Sequence, residues 1–289
     1  VLQLSTGKKG IFAVSHICIE VAGSVGSITI DRLGRMNSLD VETARDFRKA
    51  GLQLARDEKI RVVVLNGGDG VFCSGADLKY IRDGGDEGLG YLSPGARPVP
   101  GGFGESFKQI LEYIHSTISE IRRAPKPFIA AVDGVAAAGG LGIAMACDLV
   151  FASERASFEW AYSKTGLTGA ESSTFFLPKL LGYRRAMGML LLNPRIDARR
   201  ALELGLVNDV LPTATFDNEI LRIAERIADG PTEAYGVAKA LMNESIGGDR
   251  LDYHLDRELE LLAHGANGKP FAEGLSAFFG KRAPRFHDA

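Results

Sequence analysis

Two short apolar segments, each running into a turn of small residues, set the tightest limit on how this chain can fold. Arg61–Asn66 (RVVVLN) leads through GGDG to VFCSGADLK, and Phe128–Asp133 (FIAAVD) leads directly into GVAAAGGLGIAMACD. A run this apolar leaves no solvent face, so it suits a strand covered on both sides, as in a parallel sheet. Asp40 to about Asp57 has Val41, Ala44, Phe47, Leu52 and Leu54 roughly in helical phase, and it joins the strand-like Gly26–Arg32 to the first of these runs. Strand, helix and buried strand in this order predict a right-handed crossover.

Other segments extend the reading. Phe12–Val21 is β-branched and strand-like. Glu105–Arg123 places Phe107, Ile110, Leu111, Ile114, Ile118 and Ile121 on one helical stripe, and Pro125 and Pro127 end it. Leu149–Ala152 is a further apolar run. After Ser172 the pattern turns mostly helical, with Asp197 as an N-cap, Val207–Leu211 as one short strand, and amphipathic stretches at 216–229, 232–246 and 251–264. The stretch from Asp83 to Gly104 is rich in Gly and Pro and predicts a long loop of the kind that shapes ligand access. The expected class is α/β, with a core over 1–195 and a helical, oligomerising region over 196–289.

Composition narrows the function. Lys and Arg number 34 and Asp and Glu 36, a net charge of −2, so no nucleic-acid footprint is expected. No apolar run reaches the roughly 18–20 residues of a membrane span. Cys18, Cys73 and Cys147 form no disulfide framework or zinc spacing, and His16, His254, His264 and His287 make no metal-ligand pattern. No metal is therefore expected, and a reducing compartment is: cytoplasm, or mitochondrial matrix in a eukaryote. A chain opening at Val1 reads as trimmed or processed.

Both small-residue turns have the form strand, turn, helix start. Glycine lets a ligand approach the backbone, and unpaired N–H groups at a helix start favour negative charge. Two such turns facing each other would give two donors to one oxygen, an oxyanion hole worth about 3–4 kcal/mol per donor in a transition state. Taken alone, such turns more often only permit tight packing. Neither matches a nucleotide-phosphate signature at the right junction.

Together, VFCSGADLK and KPFIAAVDGVAAAGGLGIAMACDLVFASERASF resemble the crotonase superfamily, the enoyl-CoA hydratase/isomerase family; LPKLLG, ARRALELGLV and EGLSAFFGKRAPRF extend the likeness over nearly the whole chain. The resemblance implies a crotonase-like spiral of ββα repeats with a C-terminal helical region, assembled as a homotrimer or a dimer of trimers. It implies an acyl-CoA substrate, coenzyme A entering only as part of the thioester and no permanent cofactor. By position, the amides that hold the thioester oxygen are those of Ala76 and Gly139. Arg35 and Ser38, within RMNSL, match the turn beside CoA. Asp77, Leu78 and Lys79 follow the pantetheine and adenine, and Lys281 matches a lysine that reaches CoA phosphate, commonly from a neighbour.

The chain departs from the family where hydration needs it. The two water-activating glutamates are expected at 142 and 162, and Gly142 and Tyr162 stand there. Enolate chemistry survives this loss; simple hydration of a trans-2-enoyl thioester is doubtful. Four residues remain for proton chemistry: Glu171, His115, Glu159 and Tyr162. Glu171 could serve as the one base an isomerase needs, or be a carboxylate at a helix start. His115 could serve in thioester or β-dicarbonyl hydrolysis, or be a packing histidine. Tyr162 could hydrogen-bond a substrate or simply fill the pocket, but its hydroxyl is too weak a base to replace a glutamate. Trp160, Phe72, Phe103, Phe175 and Phe176 could line an acyl pocket or fill the core, and Cys73 reads as a small filler. A non-catalytic acyl-CoA binder is the third reading.

Overall fold

The computed structural model describes residues 12–14, 16–32, 34–84 and 103–288, with side chains from His16 to His287. Most of the loop expected over 83–104 lies outside the described residues.

Three strands open the chain: β1 (Phe12–Val14), β2 (Ile17–Ala22) and β3 (Val25–Ile30). Helix α1 (Val41–Arg56) crosses over to β4 (Val62–Gly67). Asp40 starts α1 by accepting from Thr43 N at 2.8 Å, satisfying one of the amides a helix start leaves open. Next come α2 (Leu78–Arg82), α3 (Gly104–Arg123), β5 (Phe128–Val132), β6 (Val135–Ala137) and α4 (Gly139–Ala146). Then follow β7 (Leu149–Ser153), β8 (Ser157–Glu159), α5 (Ser173–Leu181), α6 (Tyr183–Leu192), β9 (Ile196–Asp197), α7 (Ala198–Glu203) and β10 (Asp209–Leu211). Helices α8 (Phe216–Ala228), α9 (Thr232–Ser245), α10 (Leu251–Ala266) and α11 (Lys269–Phe279) complete the chain.

The large sheet runs β1-β2-β3-β4-β5-β7-β10, antiparallel up to β3 and parallel from β3 onward. As the apolar run predicts, β4 is covered on both faces. Val63 and Leu65 join the core under α1 and α3, whereas Val62 and Val64 meet Phe216 and Ile220 of α8. A smaller sheet, β6-β8-β9, sits beside the large one, and isolated bridges Leu39–Ala76 and Cys73–Ala136 extend its stacking. Each repeat thus has a long strand, a short extended piece and a helix: β3, Leu39, α1; β4, Cys73–Ala76, α2; β5, β6, α4. This is the ββα spiral, and it brings successive turns into contact.

The expected boundary falls between residues 195 and 196. Beyond it, β9 pairs with β8 and β10 pairs with β7, so both sheets recruit residues up to Leu211. The helix α11 is not anticipated by the sequence reading.

Candidate active site

The two small-residue turns touch. Leu39 N donates to Gly75 O and Asp77 N donates to Leu39 O, each at 2.8 Å. Extended backbone alternates direction, so the Ala76 N–H between them points away from Leu39. The second turn lies against this one: a Cβ added to Gly75 would stand 2.8 Å from Ala138 Cβ and 3.1 Å from Gly139 N. Ala138 takes φ 47 and ψ −118, unusual for a residue with a side chain, and its N donates to Glu159 O at 3.1 Å. Gly139 then opens α4, where its amide has no partner inside the helix. Among the described residues, neither Ala76 N nor Gly139 N has a hydrogen-bond acceptor.

A cavity of about 470 Å³ opens over these turns, lined by Ala76, Ala137, Ala138, Tyr162 and Glu171 together with Glu159 and Lys164. Its apolar wall comes from Phe107, Leu167, Leu262, Phe278 and Phe279. Glu171 is 2% exposed, and its Oε1 would lie 2.7 Å from a Cβ on Gly139. Its Oε2 accepts a hydrogen bond from the Tyr162 hydroxyl. Burial pushes the Glu171 carboxyl up to about 8; the Tyr162 hydrogen bond opposes this and the charge of Glu258 adds to it. Burial, then the neighbouring Glu171 charge, holds Tyr162 well above its usual range, so it remains a phenol.

The position where a hydratase glutamate is expected is filled by backbone. A Cβ on Gly142 would fall 2.2 Å from Glu171 O and 2.9 Å from Glu171 Cβ. Glycine at 142 therefore makes room for Glu171 itself. The Glu171 carboxylate reaches the cavity from the segment before α5.

His115 does not line this cavity. It is buried on α3, and its Nε2 accepts from Glu171 N at 3.1 Å. Burial lowers its pKa to about 4, outweighing the opposing pull of Glu258. Its Nε2 thus faces the Glu171 backbone rather than the cavity.

At the proposed CoA side, Arg35, Ser38, Asp77, Leu78 and Lys79 all line the cavity. Asp77 is committed elsewhere: it caps α2 by accepting from Lys79 N and Tyr80 N at 3.0 Å and pairs with Arg32 and Arg35. Burial alone would raise the Asp77 carboxyl, but Arg35, the Tyr80 amide and Arg32 bring it down to about 2. Ser38 Oγ accepts from Arg32 at 3.2 Å. Lys281 lies exposed beyond α11, away from the cavity lining.

Of the two readings open for the aromatics, the core one fits them. Phe72 and Trp160 are core, each 1% exposed; Phe103 packs edge-on to Phe271. Phe175 and Phe176 border a separate hollow of about 240 Å³ beside Arg122 and Lys239. The apolar wall of the cavity includes Phe278 and Phe279 of α11 and Leu262 of α10, which the sequence pattern alone does not single out. The pattern KPFAEGLSAFF, with Pro270 in the first turn, held the signal for that helix. Cys73 is fully buried and its thiol is pushed up to about 12 by burial, which makes it a poor nucleophile. Glu159 faces the cavity but accepts from Asn193 at 2.9 Å and pairs with Lys164. Among the described residues there is no cluster of three metal-ligating side chains.

Comparison with known proteins gives a consistent picture. The sequence profile described as enoyl-CoA hydratase/isomerase matches residues 20–91 and 105–289. The chain is 31% identical over 266 residues to 4-chlorobenzoyl coenzyme A dehalogenase-2 of an Arthrobacter species, covering 92% of this chain and 91% of that one. It is 32% identical over 275 residues to 1,2-epoxyphenylacetyl-CoA isomerase of Escherichia coli K12, covering 95% and 98%. A solved enoyl-CoA hydratase from Mycobacterium avium subsp. paratuberculosis K-10 superimposes with a TM-score of 0.81 at 30% identity, covering 94% and 99%.

Proposed function

Because the chain belongs to the enoyl-CoA hydratase/isomerase family, we propose that it is an acyl-CoA isomerase in which one carboxyl group moves a proton across a thioester enolate. The observation that supports this most is the placement of Glu171, the buried carboxyl set against Gly139 at the mouth of two unpaired amides. In this reading the thioester oxygen lies between Ala76 N–H and Gly139 N–H. These donors stabilise negative charge as it develops. Glu171 Oε1 removes a proton from the carbon chain and returns it at another carbon, while Tyr162 steadies Oε2. A 1,3-shift needs one such group, since the proton leaves and returns on the same carboxyl. Syn addition of water benefits from two, and neither expected position carries one.

CoA would enter only as the substrate's thioester, along Arg35, Leu78 and Lys79. The chain is proposed to work as a trimer or a pair of trimers. Leu191 and Leu192 at the end of α6 are 68% and 81% exposed, and Val237, Leu241 and Met242 of α9 are exposed as well, an apolar surface suited to a second copy of the chain.

The test is conversion of 3-enoyl-CoA to the conjugated 2-enoyl thioester, followed by ultraviolet absorbance. Glu171→Gln is expected to lower kcat by at least about 100-fold, the range typical for loss of a proton-transferring group. Unchanged turnover in that variant would remove Glu171 from the reaction. Release of free CoA would point to hydrolysis, and acyl-CoA binding by calorimetry without any turnover would point to a binding protein.

A further inference from the structure

We propose that His115 and Glu258 are positioning residues: they grip the backbone on either side of Glu171 and so aim its carboxyl at the cavity, without exchanging protons with substrate. This rests on the reading of Glu171 as the proton carrier.

The corner that presents Glu171 is strained. Glu171 and Ser172 both adopt positive φ, 51 and 63, although neither is glycine. Such residues persist only where their surroundings over-determine them. Here the surroundings are three hydrogen bonds to main-chain amides. Glu171 N donates to His115 Nε2 at 3.1 Å, Ser172 N to Glu258 Oε2 at 2.8 Å, and Thr174 N to Glu258 Oε1 at 3.0 Å. These amides precede and open α5, where a helix has no internal acceptors to offer. Side chains from α3 and α10 supply them instead.

The clamp is itself held. Glu258 also accepts from the Thr174 hydroxyl, and His254 Nε2 lies 3.5 Å from Glu258 Oε1 and 2.6 Å from Thr174 Oγ1. His115 Nε2 stands 3.8 Å from Glu258 Oε2. The titratable groups facing His115 are thus Glu258 and His254; those facing the Glu171 carboxyl are Tyr162, Glu258 and the Cys73 thiol.

Histidine suits this task only when neutral. To accept from an amide, Nε2 must keep its lone pair, which places the ring proton on Nδ1. Burial keeps the ring uncharged through the neutral range. With that lone pair occupied by the Glu171 amide, His115 has no free site for a substrate proton. A shift of about 1 Å in the corner would carry Oε1 off the reacting carbon, and a misplacement of that size costs on the order of 100-fold in rate.

Three variants test the proposal in the isomerisation assay: His115→Ala, His115→Gln and Glu171→Gln. Glutamine can still accept from the Glu171 amide but cannot shuttle a proton. The proposal predicts that His115→Ala lowers kcat about 10- to 100-fold with KM within about 2-fold. It predicts that His115→Gln recovers to within about 5-fold of the parent, with the pH inflection of the parent enzyme retained. His115→Gln as inactive as His115→Ala, with that inflection lost, would make His115 a proton carrier and overturn the proposal. Parent-like kcat in His115→Ala would also overturn it. Should His115→Ala fail to fold, the His115→Gln profile alone decides between these outcomes. Glu171→Gln separates the two levels: if it keeps full turnover, the function proposed above falls; if it is inactive while His115→Ala is unaffected, only the clamp falls.

Discussion

At the scale of single residues, the site turns on a trade between positions 142 and 171. The backbone carbonyl of Glu171 lies where any side chain on 142 would begin. Gly142→Ala is therefore expected to displace the corner, lowering isomerase kcat by about 100-fold and stability by about 1–3 kcal/mol. Gly142→Glu, which restores the hydratase sequence, is expected to do the same without creating hydratase activity. Thermal melts and kinetics on the two variants check this; gain of water addition in Gly142→Glu would refute it. The sequence shows glycine at 142, where the family likeness leads one to expect a glutamate, but not what that glycine admits, because this is a contact 29 positions away. Glu171 is visible as a candidate, whereas Glu258 is not: within LDRELELL it looks like any glutamate on an amphipathic helix. Its burial and its three amide and hydroxyl partners exist only once α10 lies over α5.

At the scale of elements, the short helix α2 is held by one carboxylate. Five residues are too few to form a helix in isolation, since nucleation is unfavourable. Asp77 caps α2, and its ion pairs with Arg32 and Arg35 tie α2 to the turn that precedes α1. The Asp77 carboxyl titrates at about 2 in the fold, below its ordinary value of 3.8. The folded state therefore binds protons less readily than the unfolded chain. The stabilisation is complete above about pH 4 and is lost as pH falls towards 2. Asp77→Asn is expected to cost about 1–3 kcal/mol at pH 7, to cost less near pH 2, and to raise KM for the thioester as Arg35 and Lys79 lose their anchor. Denaturant melts at the two pH values test the sign. Elements of this kind were legible in part. Asp40, Asp197 and the α3 stripe announce their helices through caps and period, and β4 and β5 through unbroken apolar runs. Helix α11 is harder to read from sequence, because its 11 residues overlap a motif and offer little more than three turns of period.

At the scale of the whole molecule, the spiral explains how two distant turns become one site. Each repeat advances the chain by one strand in the large sheet and one extended piece beside it, so residues 75 and 139 meet although 64 positions separate them. The sequence discloses both turns and the likeness that pairs them; the contact itself depends on the stacking of repeats. The same architecture leaves α6 and α9 with exposed leucines and Met242. Self-association is the expected consequence, and sedimentation should give a species of three or six times the 31.0 kDa chain. Leu191→Asp with Leu192→Asp is expected to dissociate it; a parent chain that sediments as a monomer at micromolar concentration would contradict the assembly.

The most direct measurement is deuterium uptake from solvent into the carbon next to the thioester carbonyl, followed by mass spectrometry from pH 6 to pH 9 across a panel of acyl-CoA thioesters. With Glu171 active as its carboxylate, uptake should rise with pH and level off above about 8, the value to which burial raises this group, and it should vanish in Glu171→Gln. No uptake with any thioester, or equal uptake in Glu171→Gln, would contradict a proton carried by this carboxyl over two converging amides.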